Sequence, residues 1–431
     1  MIESNVVSTY RVYRIRWLQL IVYALATFAN AFHSITFASI ATEVSTFFDI
    51  TLLQVNILGI ISLILYIPST ALAIWMHRRL SMRMSMSIAA LINLGVWIRL
   101  FGLITPHQGY TALVIGQIFS ALAGPFFMNL PAEFAGRWFA PEQRDIATAI
   151  CSMANPLGSA VGSLLPSLFV IDGSSQQFFL LLTVEAAFTT LTTVLLIVII
   201  KSKPPSPPSP SEEHEQPIVI KQDLVRLLTN RHYLALLIGF SIGLGIANSF
   251  ITLLYQLIQP SGYSSTNAGI FSAIFLVTGI FSSILIGVIL ARTRAYRLIL
   301  KLLLLGACAS AAYFIIILRP NMQYPLAVSI GLMGFFLLPL LPVCFECAAE
   351  CTYPVHAEWS TGLLQCLGNV LGGIFVIVHG DLIKLAPVYK PDDILTPASI
   401  FIVCTFAVSA VALLIYNGPY LRLQVEHEAT A

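Results

Sequence analysis

Residues 129–162 read NLPAEFAGRWFAPEQRDIATAICSMANPLGSAVG, and residues 341–375 read LPVCFECAAECTYPVHAEWSTGLLQCLGNVLGGIF. The second stretch rewrites the first. Glu133 and Ala135 stand eight and six residues before Pro141, and Glu346 and Ala348 stand eight and six before Pro354. An N-x-L-G element follows, Asn155 to Gly158 in the first copy and Asn369 to Gly372 in the second. Each copy closes one long apolar run, makes a short polar break and opens the next run. A polar hairpin repeated some 210 residues later predicts a chain of two related halves.

The composition says what surrounds those halves. Of 431 residues, 57% are hydrophobic and only 10% charged. A soluble domain carries about 25% charged residues, so this chain cannot clothe itself for water and needs lipid as solvent. A spanning helix takes about 20 apolar residues. Such runs are expected at about Trp17–Thr42, Leu52–Met76, Met82–Ile104, Tyr110–Phe134, Ile146–Val170 and Gln177–Ile200. Six more follow at about Tyr233–Ile258, Thr266–Ala291, Leu298–Leu318, Pro325–Ala349, Ser360–Ile383 and Pro397–Tyr416. The first is too long for a signal-peptide core and lacks a small-residue cleavage site, so it reads as a retained span.

Between the sixth and seventh runs lies KSKPPSPPSPSEEHEQP, which reads as a solvated, disordered linker. The expected organisation is therefore an N-terminal tail (1–16), a six-helix half (17–200), a linker (201–231), a second half (232–416) and a C-terminal tail (417–431). The fold class is an all-α polytopic membrane protein of twelve helices. Of the 22 Lys and Arg, 18 fall on the side that carries both termini and the linker. Only Arg319, Lys384 and Lys390 fall on the other, and Arg99 lies inside the third run. Positive charge is retained on the cytosolic side, which predicts cytosolic termini, in the plasma membrane or an internal one.

Several classes of function lose support. The net charge of +2 and the lack of a basic tail give no reason to expect nucleic acid. Seven cysteines all fall in or at the ends of apolar runs, and no N-x-S/T acceptor occurs, so no disulfide-bonded or glycosylated exterior is expected. Cys344, Cys347 and Cys351 share one helix face but read as small packing residues, not as metal ligands. No H-E-x-x-H or His/Asp cluster supports a membrane-embedded enzyme, and no cofactor is expected. A non-transporting receptor or sensor would need a sizeable soluble domain, and the linker and tails are short.

Two parallel-repeated six-helix halves resemble the layout of major facilitator transporters, which rock about a site near the bilayer midplane. In that fold the first, fourth, seventh and tenth spans face the cavity, with the fifth and eleventh beside them. Closer likeness lies in RIRWLQL and Asn30-Ala31-Phe32 of the first span, LGVWIR of the third, N-x-L-G-x-A-V-G-x-L-L-P of the fifth, TLLYQ with GYSSTNAG, and ECTYP with STGLL at Glu350–Leu364. These resemble the feline leukaemia virus subgroup C receptor family over nearly all of both halves. The resemblance implies a carrier of a small organic metabolite, choline or ethanolamine in the best-understood members, with haem export also attributed to the family.

The departures are chemical. Choline-carrying relatives place a Trp two residues after Asn-x-Phe, where this chain has Ser34. A quaternary ammonium is held by aromatic faces. The relatives' glutamines in the fifth and eleventh spans are replaced by Pro156, after Asn155, and by Asn369. Hydroxyl, imidazole and short amide suit a hydrogen-bonding solute.

The expected cavity residues are Asn30, His33, Ser34, Asn129, Asn155, Asn248, Tyr255, Gln256, Gln365 and Asn369. Glu133 and Glu346 are expected to clamp a gate with the basic links at Arg78, Arg79, Arg292 and Arg294, or Glu133 with Arg137 one turn away. Arg99 is expected to snorkel to the outer surface or to pair with Glu185. Gly158 and Gly162 form a G-x-x-x-G packing face. No carboxylate stands at mid-depth in the first, fourth or seventh spans, which favours facilitated diffusion by a monomeric carrier over obligatory proton coupling.

Overall fold

A computed structural model of the chain describes residues 11–104, 106–170, 173–209, 220–385 and 396–428. Every regular element described is helical. The first six spans are Ile15–Ser34, Leu52–Arg79, Met82–Asn93 continued to Phe101, Pro106–Met128, Pro141–Phe169 and Ser175–Ile199. The last six are Arg231–Ile258, Ser265–Thr293, Tyr296–Ile317, Gln323–Leu337 with Leu340–Thr352, Ala357–Lys384 and Pro397–Ile415. Among the described residues, eleven helices are long and apolar enough to cross a membrane. The remaining one is the fifth span, 29 residues long, whose Asn, Ser and Pro residues and charged first turn lower its hydropathy.

Helix starts follow capping chemistry. Thr51 and Gln54 make a reciprocal capping box before the second span. Asn230 accepts from the amides of His232 and Tyr233 at 3.0 and 3.2 Å before the seventh. Ser264 and Thr396 cap the eighth and twelfth.

Several boundaries differ from those expected. The first span ends at Ser34 and is followed by short helices Thr36–Ser39 and Ala41–Phe48. The fourth stops at Met128, and Pro131, which fits a first helical position, opens a separate short helix, Pro131–Trp138. Residues 210–219 of the expected disordered linker lie outside the described residues, and the parts on either side are ordered. Residues Ile220–Thr229 are helical, and Ser209 is buried. A further helix, Leu421–Glu428, follows the twelfth span.

The apolar core divides along the repeat. Two clusters lie within the first six spans, around Phe134 with Trp138 and around Phe48 with Phe178. A third fills the last six and takes in Ile74 and Ala132 from the first half. Within the first half, spans one and five touch backbone to backbone. A Cβ on Gly158 would lie 2.4 Å from the Phe28 carbonyl oxygen, and one on Gly162 would lie 2.1 Å from that of Phe32. Small residues permit such close approach, as expected of the G-x-x-x-G face. Gly162→Leu is expected to wedge this seam and abolish recovery of monodisperse protein, while Ser159→Leu, on a half-buried neighbouring position, retains it. Size-exclusion chromatography after detergent extraction checks both.

Candidate functional site: a cavity closed at the termini end

The two halves are joined by contacts gathered at the end of the bundle that carries the termini. The Glu133 carboxylate is held by Arg137 at 2.7 Å and accepts the Glu358 amide N–H at 3.2 Å. His77, at the end of the second span, pairs with the Glu358 carboxylate in the first turn of the eleventh. Across the repeat axis the Thr148 hydroxyl donates to Glu346, and the Tyr296 hydroxyl donates to Asp145 at 3.0 Å. Asp145 and Glu358 stand four residues after the repeated prolines, Pro141 and Pro354. The closure is therefore two reciprocal locks. Each half supplies one acid on the first turn of its fifth helix and one donor to the other half's acid.

Apart from Arg137, whose side chain is 20% exposed, the side chains of this closure are almost wholly buried. Removed from water, such charges persist only when paired. The eighth span meets the fifth tightly here, since a Cβ on Gly287 would lie 3.1 Å from Ala149 Cβ and 3.2 Å from the Asp145 carbonyl oxygen. Of the expected gate residues, Glu133 and Glu346 thus stand at the closure, bonded to Arg137 and Thr148. Arg79 and Arg292 are exposed, Arg294 is half-buried, and the Arg78 side chain lies outside the described residues. Exposed arginines keep their hydration, and Arg137 and Thr148 reach the acids over shorter distances.

Asn129 forms the floor above the closure. Buried in the break after the fourth span, it accepts at Oδ1 from the Tyr66 hydroxyl at 3.1 Å. Its carbonyl accepts from Thr361 of the opposite half at 2.7 Å. Contact between spans two and eleven extends to Leu63 against Gly373, midway along both.

Beyond that floor the expected cavity residues divide. Asn155 on the fifth span and Asn248 on the seventh are half-buried, and their amides have no protein partner among the described residues. Tyr255 is 40% exposed and Gln256 is exposed. Gln365 and Asn369 are buried on the eleventh span, where the Asn369 amide donates to the Gln365 carbonyl at 2.9 Å.

Asn30, His33 and Ser34, also expected in the cavity, bond within the first half. Asn30 donates to Asn93 Oδ1 and to the Ser120 carbonyl, both at 2.9 Å. His33, fully buried, lies 3.1 Å from Asn93 Oδ1 and 3.2 Å from the Ser120 hydroxyl. The Ser34 hydroxyl donates to the Asn30 carbonyl at 2.6 Å and sits 2.7 Å from that of Ser120. Polar groups in an apolar medium take the nearest partner, and spans three and four supply it.

Arg99 completes this network. It is fully buried, donates to Gln117 Oε1 and the His33 carbonyl, each at 2.7 Å, and lies 3.6 Å from Glu185. Pairing, not snorkelling, is its solution. Thr36 donates to the same Glu185, and the guanidinium rests 5.3 Å from the Phe37 ring centroid. A side chain at Gly116 would strike Arg99 Cγ at 2.6 Å, so the arginine needs that glycine.

Sequence reasoning missed His77, Asp145, Thr148, Tyr296 and Glu358 as gate residues. The repeat carried a usable signal for two of them, the acids four residues after matched prolines. His77 and Tyr296 lie inside the two repeated basic links, residues 77–83 and 291–297, which marked the place but not the side chain. Among the described residues no group of His, Cys, Asp and Glu could hold a metal ion.

Residues 20–377, most of both halves, match the family profile of the Major Facilitator Superfamily. The chain belongs to the major facilitator superfamily. Within this superfamily of transporters, it is 30% identical to solute carrier family 49 member A3 of Xenopus tropicalis, covering 87% of this chain and 79% of that protein. It is 27% identical to the choline/ethanolamine transporter flvcr2a of Danio rerio, covering 100% of this chain and 92% of that protein. Its fold is similar to that of the major facilitator transporter FucP in the outward conformation. The TM-score is 0.72 at 13% identity, over 94% of this chain and 100% of that one. The chain is thus a major facilitator protein related to the solute carrier 49 and feline leukaemia virus receptor carriers, a family of transporters and not of enzymes.

Proposed function

We propose that this protein carries a small polar organic solute across a membrane by alternating access, with both termini cytosolic and the cavity facing outward in the conformation described. One observation carries the reading. The halves are locked at the termini end, and beyond the lock two amides on facing halves, Asn155 and Asn248, stand half-buried with no protein partner. Polar groups in a membrane protein normally face a cavity or another helix, and amides unbound by protein are free to take a solute's hydrogen bonds. The excess of Lys and Arg on the termini side supports the orientation.

Relatives that carry choline and ethanolamine suggest the solute class, and the cavity modifies it. The position where those relatives hold an aromatic is Ser34, hydrogen-bonded to Ser120 within the first half. Tyr255 is then the exposed aromatic of the seventh span. One ring holds a quaternary ammonium less firmly than an aromatic pair. The solute expected is one that accepts and donates hydrogen bonds, ethanolamine-like in preference to choline-like.

Purified protein reconstituted in vesicles tests this through uptake, with a thermal-shift screen that includes choline, ethanolamine, haem and hydroxylated amines. Asn155→Ala and Asn248→Ala are each expected to weaken the apparent affinity of the transported solute by about 1–2 kcal/mol, roughly 5- to 30-fold. Stabilisation by choline equal to that of any other solute would show that the missing aromatic is immaterial. A protein that binds solutes but moves none would be a receptor.

A further inference from the structure

Two segments outside the membrane meet at one buried arginine, and a third is tied to one of them. Arg144, in the first turn of the fifth span, is 2% exposed. Its Nη1 pairs with Glu426 of the C-terminal helix at 2.9 Å, and its Nη2 donates to the Ser209 hydroxyl of the linker at 3.2 Å. Its Nε has no hydrogen-bond partner among the described residues. The linker is itself tied to the N-terminal segment, where the Tyr13 and Ser206 hydroxyls lie 3.0 Å apart and the Arg11 amide donates to the Pro207 carbonyl. The C-terminal helix is tied to the second half as well, through the Leu423 amide on Glu350 Oε2 at 3.2 Å.

Ser209 is followed by Pro210, in a run, PPSPPSP, too rich in proline to form a helix. We propose that Ser209 is a phosphorylation site for a proline-directed protein kinase, and that the phosphate takes Arg144 from Glu426 and releases the C-terminal helix. The proposal rests on the cytosolic placement of the linker, where ATP and kinases are found. In the modification the γ-phosphorus of ATP bonds to Ser209 Oγ as its bond to the β,γ-bridging oxygen breaks. ADP leaves with that electron pair, and the hydroxyl proton passes to the kinase's general base.

The competition follows from charge and geometry. A phosphoserine carries about −1.5 to −2 charges and three acceptor oxygens, against one charge and two oxygens for the Glu426 carboxylate. It would sit where the Ser209 oxygen already meets Arg144 Nη2, and two of its oxygens can take the fork of the guanidinium together, including the unpartnered Nε. Arg144 covers the hydroxyl in the closed state, so the acceptor is available when the linker lifts.

The test uses the full-length detergent-purified protein with ATP and a proline-directed kinase, read by peptide mass spectrometry and by hydrogen exchange. Phosphate is expected on Ser209 and absent from Ser209→Ala. Exchange of the 421–428 amides is expected to rise by about tenfold or more on phosphorylation, as Glu426 loses Arg144. In Arg144→Gln the same amides are expected to exchange fast before treatment and to change no further. Absence of phosphate from Ser209, its appearance on Ser206 or Ser211 alone, or a phosphorylated Ser209 with unchanged exchange would each overturn the proposal. Neither readout depends on transport, so a failure here leaves the carrier reading standing, and the reverse also holds.

Discussion

Arg99→Met is expected to destabilise the protein by about 3–5 kcal/mol, the cost of leaving one partner of a buried ion pair without the other. Arg99 has no exposed surface, and neither does Glu185. Removing the guanidinium strands the Glu185 carboxylate with only the Thr36 hydroxyl, and takes from Gln117 Oε1 and the His33 carbonyl their charged donor. The double variant Arg99→Met/Glu185→Met removes both charges and fills similar volume. It is expected to regain most of the loss, because replacing a buried pair by apolar side chains is often close to neutral. Thermal unfolding of the purified protein in detergent, followed by loss of monomer on size-exclusion chromatography, separates the cases. A double variant no more stable than the single would mean that the arginine contributes packing and not charge.

The second large effect concerns the gate. Glu358→Gln removes the charge that His77 pairs with and weakens the lock on that side by about 2–3 kcal/mol, roughly 30- to 160-fold in the balance between closed and open states at the termini end. A Gly362→Cys reporter reads the shift. A Cβ there lies 3.5 Å from the Asn129 side chain and 3.6 Å from Ile74, walled in while the halves are closed. With Glu358→Gln added, labelling of this thiol by a polar reagent from the termini side is expected to quicken by about tenfold or more. Unchanged labelling would mean that Asp145 and Tyr296, with Thr148 and Glu346, hold the closure alone. Asp145→Asn is the matching variant for that side.

What could be read in advance was whatever repeats or is spaced along a helix. The duplicated hairpin announced two halves. The glycine pair announced the seam between spans one and five, and the spacing of Glu133 and Arg137 announced their ion pair. What could not be read was which way a polar side chain turns. In a soluble helix the apolar stripe marks the inward face. In lipid both the outside and the protein interior are apolar, so Asn30 and His33 carry no mark of direction. Their partners Asn93 and Ser120 lie 60 to 90 residues away and become visible only in the fold. The linker misled for a related reason. Its prolines exclude a buried helix, yet an extended segment can still be pinned by hydroxyls, as Ser206 and Ser209 show.

The crossed arrangement of the locks bears on how transport must proceed. His77 reaches across to Glu358 while Tyr296 reaches the opposite way to Asp145. Because the donor and the acid of each lock belong to different halves, a rigid tilt of one half strains both together. No partial opening frees one while sparing the other. Their resistances therefore add in a single step, and a bound solute must offset the sum by drawing the halves together beyond Asn129. On the proposed reading, the empty carrier rests with its termini end shut. Loaded, it has one threshold to cross, and an imidazole and a phenol set its height jointly.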